Sequence, residues 1–262
     1  MDSVRTVPIL DVVRESSRHV TISFQDPTIT HYEPGQFLMV WVPGVDEVPM
    51  ALWGGPDGVF RILVEAKGDC TRVLAAYKPG DVIGVRGPYG RPFRTRGHRV
   101  LIVVGGTGTS PLVPLVERQR GRAEFEVVIG GRSKEFLLLR NAYEDAGARV
   151  HIATDDGSLG FHGRAPDLAK QLLDRMTFDE VLTCGPERMM KAVVELARDR
   201  HIPVQASLER WMKCAVGICD ACLVDGFRLC RDGPVLDGPV LFTLQDFGAY
   251  ERDPSGTRRP LH

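Results

Sequence analysis

Two hydrophobic patterns divide the chain, and the change between them falls near residue 96. Before it, short apolar or alternating runs recur at 4–13, 20–24, 36–42, 59–64 and 81–85. Turn residues separate them: Pro34-Gly35, Pro43-Gly44, Gly54-Gly55-Pro56 and Pro79-Gly80. A period near two with Gly/Pro punctuation predicts strands, and many short strands so spaced predict a closed barrel or a sandwich. One helical stretch interrupts them, opening at Thr71 and running to Ala76. The free N–H groups and positive dipole end at its start suit a phosphate. A capped helix plugging one end of the barrel is the plainer alternative.

From Arg99 strands and helices alternate. The pattern predicts strands at 100–104, 125–130, 150–154, 180–183 and 204–207, and helices at 112–119, 135–146, 166–176 and 186–199. Such alternation builds a parallel sheet with helices on both faces. The first of these strands runs into a glycine-rich turn, Gly105-Gly106-Thr107-Gly108-Thr109-Ser110-Pro111. Small residues there let a backbone approach dinucleotide phosphates. Asp155-Asp156-Gly157-Ser158-Leu159-Gly160 follows the third strand, and Cys184-Gly185-Pro186 follows the fourth. Singly, each loop reads equally well as an ordinary turn or helix start. Together they occupy the carboxyl edge of one sheet, where open α/β sheets bind ligands. The expected fold is therefore multidomain, β followed by α/β: a β-barrel over 1–95, a parallel-sheet nucleotide-binding domain over 96–206, and a small C-terminal module over 207–262.

Length and charge narrow the classes. A chain of 262 residues accommodates two ordinary domains and a small metal module. Its net charge of −1 argues against a nucleic-acid partner. No apolar run reaches the roughly 18 residues of a membrane helix, so no membrane partner is expected. Arg5, Asp11 and Arg14 interrupt any apolar run at the N-terminus, so no signal peptide is expected and a reduced cytoplasmic setting is.

The strongest chemical signal lies at the C-terminus. Four of the six cysteines, Cys214, Cys219, Cys222 and Cys230, are spaced C-x4-C-x2-C-x7-C. The first three have the plant-type ferredoxin spacing, which wraps a thiolate loop round a 2Fe–2S cluster. Two alternatives stand beside it. Zinc accepts four cysteines but usually takes them as two short C-x2-4-C knuckles, and a disulfide framework expects an oxidising compartment.

The Gly-Gly-x-Gly-x-x-Pro turn, the Asp-Asp-Gly-Ser-x-Gly loop and the Cys-Gly-Pro segment with Met189 and Met190 resemble the ferredoxin–NADP reductase superfamily. Pro34-Gly35-Gln36-Phe37 is similar to that superfamily's flavin domain. With a four-cysteine module after the nucleotide domain, and Arg231-Asp232-Gly233-Pro234-Val235 after the last cysteine, the chain resembles the electron-transfer subunits of NAD-dependent dihydroorotate dehydrogenases. The resemblance implies FAD in the barrel, NAD on the α/β domain, and a 2Fe–2S cluster passing electrons to FMN in a separate catalytic subunit, in a heterotetramer of two of each, within pyrimidine biosynthesis. It implies flavin contacts at Val48, Pro49, Met50, Ala51, Leu63, Val64, Glu65, Cys70 and Thr71. It implies nucleotide contacts at Gly105, Gly106, Thr107, Gly108, Thr109, Pro111, Asp155, Asp156, Gly157, Gly185 and Pro186, with Cys184 beside the nicotinamide as the catalytic residue. An ordinary buried packing role is the alternative for Cys184.

The chain departs from this pattern at three places. Val48-Pro49-Met50-Ala51 stands where relatives carry Arg-x-Tyr/Phe-Ser or Arg-Pro-x-Ser, so a pyrophosphate-pairing arginine is missing and weaker FAD binding is expected. Cys70-Thr71 replaces a Gly-Thr pair, and Ala215 stands where glycine is usual, ahead of a short x7 gap. Another NAD(P)H-dependent complex, of the sulfide dehydrogenase or transhydrogenase type, and a flavin-free scaffold subunit are the competing functions.

Overall fold

The computed structural model describes residues 3–54, 58–253 and 256–261; Gly55 and Pro56 of the expected turn lie outside the described residues. Seven strands build the first sheet: β1 (Arg5–Arg14), β2 (His19–Gln25), β3 (Phe37–Val42), β4 (Asp46–Ala51), β5 (Trp53–Gly54), β6 (Val59–Glu65) and β7 (Val82–Tyr89). Their order is β4-β3-β7-β1-β2-β6-β5, antiparallel throughout. β4 and β5 sit at opposite ends of that order, yet only Leu52 separates them in the chain. The sheet must therefore curl until its two ends meet. Leu52 makes the corner: it is buried, and its N–H donates to the Gln36 carbonyl at 3.0 Å. The curled face encloses Ile9, Ile22, Phe24, Leu38, Val40, Ile62, Val64 and Val85. The sequence pattern misses β4, because Asp46, Glu47 and Pro49 break the apolar run; an edge strand tolerates the missing N–H of a proline.

The helix of this region, α1 (Asp69–Leu74), starts two residues before Thr71 and lays Cys70 and Leu74 into the barrel core. Arg5 of β1 reaches Asp26, just past β2, at 2.7 Å and also donates to the Gly87 carbonyl at 3.0 Å.

The second region continues with β8 (Arg99–Gly105), a 3-10 turn over Gly106–Leu112, α2 (Val113–Arg118), β9 (Glu124–Gly131), α3 (Arg140–Asp145), β10 (Arg149–Thr154), β11 (Phe161–His162), α4 (Ala165–Arg175), β12 (Glu180–Cys184), α5 (Glu187–Asp199) and β13 (Val204–Ser207). The C-terminal region adds a hairpin, β14 (Leu223–Val224) and β15 (Phe227–Arg228), then α6 (Leu229–Asp232), β16 (Val235–Asp237) and α7 (Gly238–Leu241). The second sheet has the order β11-β10-β9-β8-β12-β13-β16.

Three details differ from the sequence expectation. The glycine-rich turn winds into a 3-10 helix before α2 begins, so the helix expected at 112–119 starts earlier and more tightly. The helix expected at 135–146 breaks into a 3-10 turn (Lys134–Phe136) and α3, because Leu139 adopts φ 55° and turns the chain inward at Leu138, which is buried. The sheet is not purely parallel. Its last strand, β16, comes from beyond the cysteines and pairs antiparallel to β13.

That pairing ties the C-terminal region to the second sheet, and a backbone bond ties it to the first. The Arg91 N–H, past the end of β7, donates to the Gly233 carbonyl at 2.6 Å. One continuous core then joins α4 and α5 to Met212, Ala215, Cys222 and Cys230, and to Phe37 and Met39 on β3. β3 alternates accordingly: Leu38 and Val40 face the barrel core, whereas Phe37 and Met39 face the cysteine region.

Candidate redox site

The cysteine loop is wound by residues in the left-handed region: Ala215 (φ 60°), Gly217 (φ 79°) and Asp220 (φ 57°). A side chain on Gly217 would meet Arg231 at 2.8 Å, so the loop lies directly on that arginine. Arg228 pairs with Asp220 at 2.5 Å, and its own N–H donates to Asp232 at 2.9 Å, closing the hairpin beneath the loop.

Backbone donors already point at sulfur. The Ile218 N–H donates to Cys214 Sγ, and the Cys230 N–H to Cys222 Sγ, both at 3.4 Å. Burial alone would raise the Cys214 thiol, but N–H donors from Ile218, Val216 and Cys219, with the Cys219 side chain, bring it down to about 6. Cys230 is pushed up to about 12 by burial first and by its neighbour Cys222 next. Cys219 thus acts on Cys214, and both Cys222 and Cys214 act on Cys230, so the four thiols form one neighbourhood. Four thiolates, the first three on one short loop, fit 2Fe–2S better than the paired short knuckles of zinc. The loop apex faces outward: Cys219 is exposed, and Ile218 is 80% exposed.

The three loops expected to hold a nucleotide lie together on one sheet edge, since β8, β10 and β12 all run parallel within the sheet. Gly105, Gly108 and Gly185 interlock. A Cβ on Gly108 would lie 2.4 Å from the Gly185 nitrogen, and one on Gly185 would lie 2.7 Å from the Gly105 carbonyl oxygen. Gly108 therefore serves close packing of two loops rather than a clear approach to a phosphate. Gly106 is the open position, with φ 56° and nothing near its missing Cβ. Thr109 and Ser110 are buried, and their hydroxyls donate to the Gly106 and Thr107 carbonyls at 2.5 and 3.0 Å. Pro111 is buried within the 3-10 turn, and Pro186 caps α5. Asp155 and Asp156 are exposed at the end of β10, with Gly157 behind them packed on the His162 ring. The Asp156 carboxyl is held below its usual range by the Ser158 side chain first and by the Ser158 N–H, at 2.9 Å, next.

Cys184 is wholly buried, and burial drives its thiol far above the usual range, so it holds its proton. The Glu209 carboxyl adds to that rise, and the Ser207 side chain, opposite Cys184 in the β12–β13 register, opposes it.

The positions expected to meet a flavin divide into two groups. Val48, Pro49, Met50 and Ala51 are half-buried on β4, which pairs with β3 at the end of the sheet order. Leu63 and Val64 are buried on β6, and Glu65 is half-buried. The helix at Cys70 and Thr71 contributes less. It has six residues, Cys70 is turned into the core and pushed up to about 11 by burial, and the Thr71 hydroxyl accepts from the Lys67 and Gly68 N–H groups at 3.1 and 3.0 Å. Arg72 folds back onto Asp69 and the Lys67 carbonyl. The half-buried apolar edge of β4 is the feature that fits a flavin.

Sequence reasoning passes over Arg86, which links these sites. It lies on β7 and pairs with Glu47 of β4 through two bonds of 2.6 Å, and it donates to the carbonyls of Lys213 and Cys214 at 2.8 and 2.9 Å. In an alternating strand it reads as an ordinary outward arginine, and no spacing signal connects it to residues more than a hundred positions away.

Residues 209–241 match the family model described as the iron-sulfur cluster binding domain of dihydroorotate dehydrogenase B. A protein of Methanocaldococcus jannaschii, named a probable dihydroorotate dehydrogenase B (NAD(+)) electron transfer subunit, is 45% identical over 87% of this chain and 88% of its own length. One of Methanopyrus kandleri with the same name is 41% identical over 98% of this chain and 99% of its own. The chain belongs to the dihydroorotate dehydrogenase B electron transfer subunit family. Among solved structures, an NADH-dependent reduced ferredoxin-NADP oxidoreductase superposes with a TM-score of 0.81 at 28% identity, covering 91% of this chain and 90% of that one. A ferredoxin NADP+ reductase from Neisseria gonorrhoeae shares the fold at 16% identity and a TM-score of 0.64, over 75% of this chain and 91% of that one. Membership in the dihydroorotate dehydrogenase B family accounts for the order of barrel, nucleotide sheet and cysteine loop along the chain.

Proposed function

We propose that this chain carries electrons between NAD and a separate FMN-containing catalytic subunit that oxidises dihydroorotate, as one half of a cytoplasmic heterotetramer with two copies of each subunit. Residues 1–95 hold FAD, 96–206 hold NAD and 207–262 hold the 2Fe–2S cluster. The observation that carries this reading is the shared core. Phe37 and Met39 of β3, which pairs with the flavin-edge strand β4, pack in one cluster with Cys222 and Cys230. A two-electron carrier on one side and a one-electron carrier on the other are thereby fixed close together, and the cofactors supply the redox chemistry.

The chain's own residues do the rest. Cys214, Cys219, Cys222 and Cys230 hold iron, with the Ile218 and Cys230 N–H groups stabilising thiolate charge. Gly106 leaves room for a pyrophosphate, while the Gly108–Gly185 contact sets the spacing of the two loops that flank it. Cys184, buried, protonated and opposite Ser207 in the strand register, adds no charge beneath the nucleotide loops. Pro49 and Ala51 offer the flavin an apolar seat. Absence of the arginine at Val48 removes a charge-assisted bond worth about 1.5–3 kcal/mol, so FAD is held less tightly than in relatives that have it.

Purified chain is expected to show visible absorption from flavin and iron–sulfur, about one FAD per chain that is partly lost on dialysis, and two irons with two acid-labile sulfides. Cys230→Ser is expected to lose most of the iron. Full iron in that variant, or protein with an intact cluster that takes up no flavin on reconstitution, would defeat the reading and favour a scaffold. Co-purification with a dihydroorotate-oxidising subunit, rather than with the partner of another NAD(P)H-dependent complex, separates the remaining alternative.

A further inference from the structure

We propose that Arg86 is a positioning residue that ties the flavin-edge strand to the first cluster ligand and sets the reduction potential of the cluster. This rests on the proposed function, since it assigns a flavin to β4 and a 2Fe–2S cluster to the cysteine loop.

All of the guanidinium's hydrogen-bonding capacity is committed. Arginine has five N–H donors. Nε and Nη2 each meet a Glu47 carboxylate oxygen at 2.6 Å; Nη2 also meets the Lys213 carbonyl at 2.8 Å; Nη1 meets the Cys214 carbonyl at 2.9 Å and the Tyr89 hydroxyl at 3.4 Å. Tyr89 also lies under the guanidinium, with the ring centroid 5.6 Å away. Five donors reach five acceptors, on β4, on β7 and on the cysteine loop.

Ordinary surface ion pairs contribute little, because solvent screens them and their side chains must be ordered. Arg86 differs on both counts. Its side chain is 14% exposed and that of Glu47 22%, and the planar fork is held from several sides. Glu47 immediately precedes Val48, the first flavin-edge position, and Cys214 is the first thiolate of the loop. The guanidinium therefore spans the two cofactor seats directly. Groups that orient metal ligands in this way typically change affinity or activity by about 10–100-fold when removed.

The pair also has an electrostatic consequence with a definite sign. Reduction adds negative charge to the cluster, so a nearby cation favours the reduced form and a nearby anion opposes it. Arg86 and Glu47 together are nearly neutral. Arg86→Met leaves the Glu47 anion and should lower the cluster potential. Glu47→Gln leaves the Arg86 cation, still held by Tyr89, Lys213 and Cys214, and should raise it. A purely mechanical brace predicts no such opposition, because losing either half merely loosens the same loop.

The test is a dithionite titration of the cluster in the full, cofactor-loaded chain, followed by EPR, with iron and sulfide counted in each variant. Shifts of opposite sign in Arg86→Met and Glu47→Gln, at undiminished iron content, are the expected result. Arg86→Lys should keep the potential near that of the unaltered chain yet slow cluster reduction by NADH on the order of tenfold, since an ammonium keeps the charge but not the fork. If Arg86→Met does not fold, a raised potential in Glu47→Gln beside an unshifted potential in Arg86→Lys carries the comparison, and an unshifted potential in Glu47→Gln overturns it. Same-sign shifts, or unchanged potentials and rates with full clusters, would overturn the inference alone. An unaltered chain that binds no cluster would overturn the proposed function and this inference with it.

Discussion

At the scale of single residues, Ala215 shows how an alanine is tolerated at a left-handed turn of the cysteine loop. Its φ of 60° lies in the left-handed region, which costs a residue with a Cβ roughly 1–2 kcal/mol. Glycine would relieve that strain. It would also add about 0.4–1 kcal/mol of unfolded-chain entropy and forfeit about 0.8 kcal/mol for a buried methyl, since Ala215 is 2% exposed and packs in the shared core. The terms nearly cancel. Ala215→Gly is therefore expected to lie within about 0.5 kcal/mol of the unaltered chain. Ala215→Val, which keeps the strain and adds bulk, should lose more than about 1 kcal/mol. Urea midpoints of the cluster-loaded proteins decide it: a large gain in the glycine variant would show that the strain outweighs the methyl.

Single elements explain the glycine-rich turn better than its consensus does. Gly108 and Gly185 belong to different loops, and their contact makes the ends of β8 and β12 one unit. Gly108→Val must push the Cys184-Gly185 backbone away, at about 1–3 kcal/mol, and displace both loops. Lower Tm together with impaired NADH-driven flavin reduction is the expected outcome. Gly106→Ala meets no neighbour and bears only its own φ strain, so its NADH response should suffer with a much smaller change in Tm. A Gly108→Val protein that melts like the unaltered chain would remove the packing account.

For the whole molecule, acid stability depends on a contact remote from the cofactor seats. Asp26 is buried, and burial opposes its charge; the Thr28 hydroxyl at 2.6 Å, Arg5 at 2.7 Å and the Thr28 N–H at 3.0 Å outweigh that and hold its carboxyl below the usual range. A folded pKa below the unfolded value of about 3.9 means that Asp26 stabilises the fold above that pH. The contribution disappears as pH falls through the lower, folded value. Asp26→Asn leaves Arg5 without its anion and should cost about 3 kcal/mol at pH 7, with less further loss between neutral and acid pH than in the unaltered chain. Urea midpoints at pH 7 and pH 3 for both proteins check the magnitude and the sign. Parallel acid profiles would show that Asp26 does not titrate with folding.

Much of this architecture is legible in the sequence because it rests on local periodicity and on dense motifs. Period-two runs mark β1, β2, β3, β6 and β7; alternation of strand and helix marks the second sheet; and four cysteines within seventeen residues mark the cluster. What depends on partners distant in the chain is not legible there. β4 hides behind Asp46, Glu47 and Pro49, because an edge strand needs neither a full ladder nor an apolar run. β16 joins the nucleotide sheet from beyond the cysteines, and no local pattern of three residues announces that pairing. Gly108 looks like a phosphate-approach glycine until the Gly185 backbone is seen against it. Arg86 carries no motif at all; its five acceptors come from three stretches of chain, and only folding brings them to one guanidinium. Local preferences determine which elements form and which ligands lie close in the chain, whereas the joining of flavin edge, nucleotide loops and cluster is decided by long-range packing.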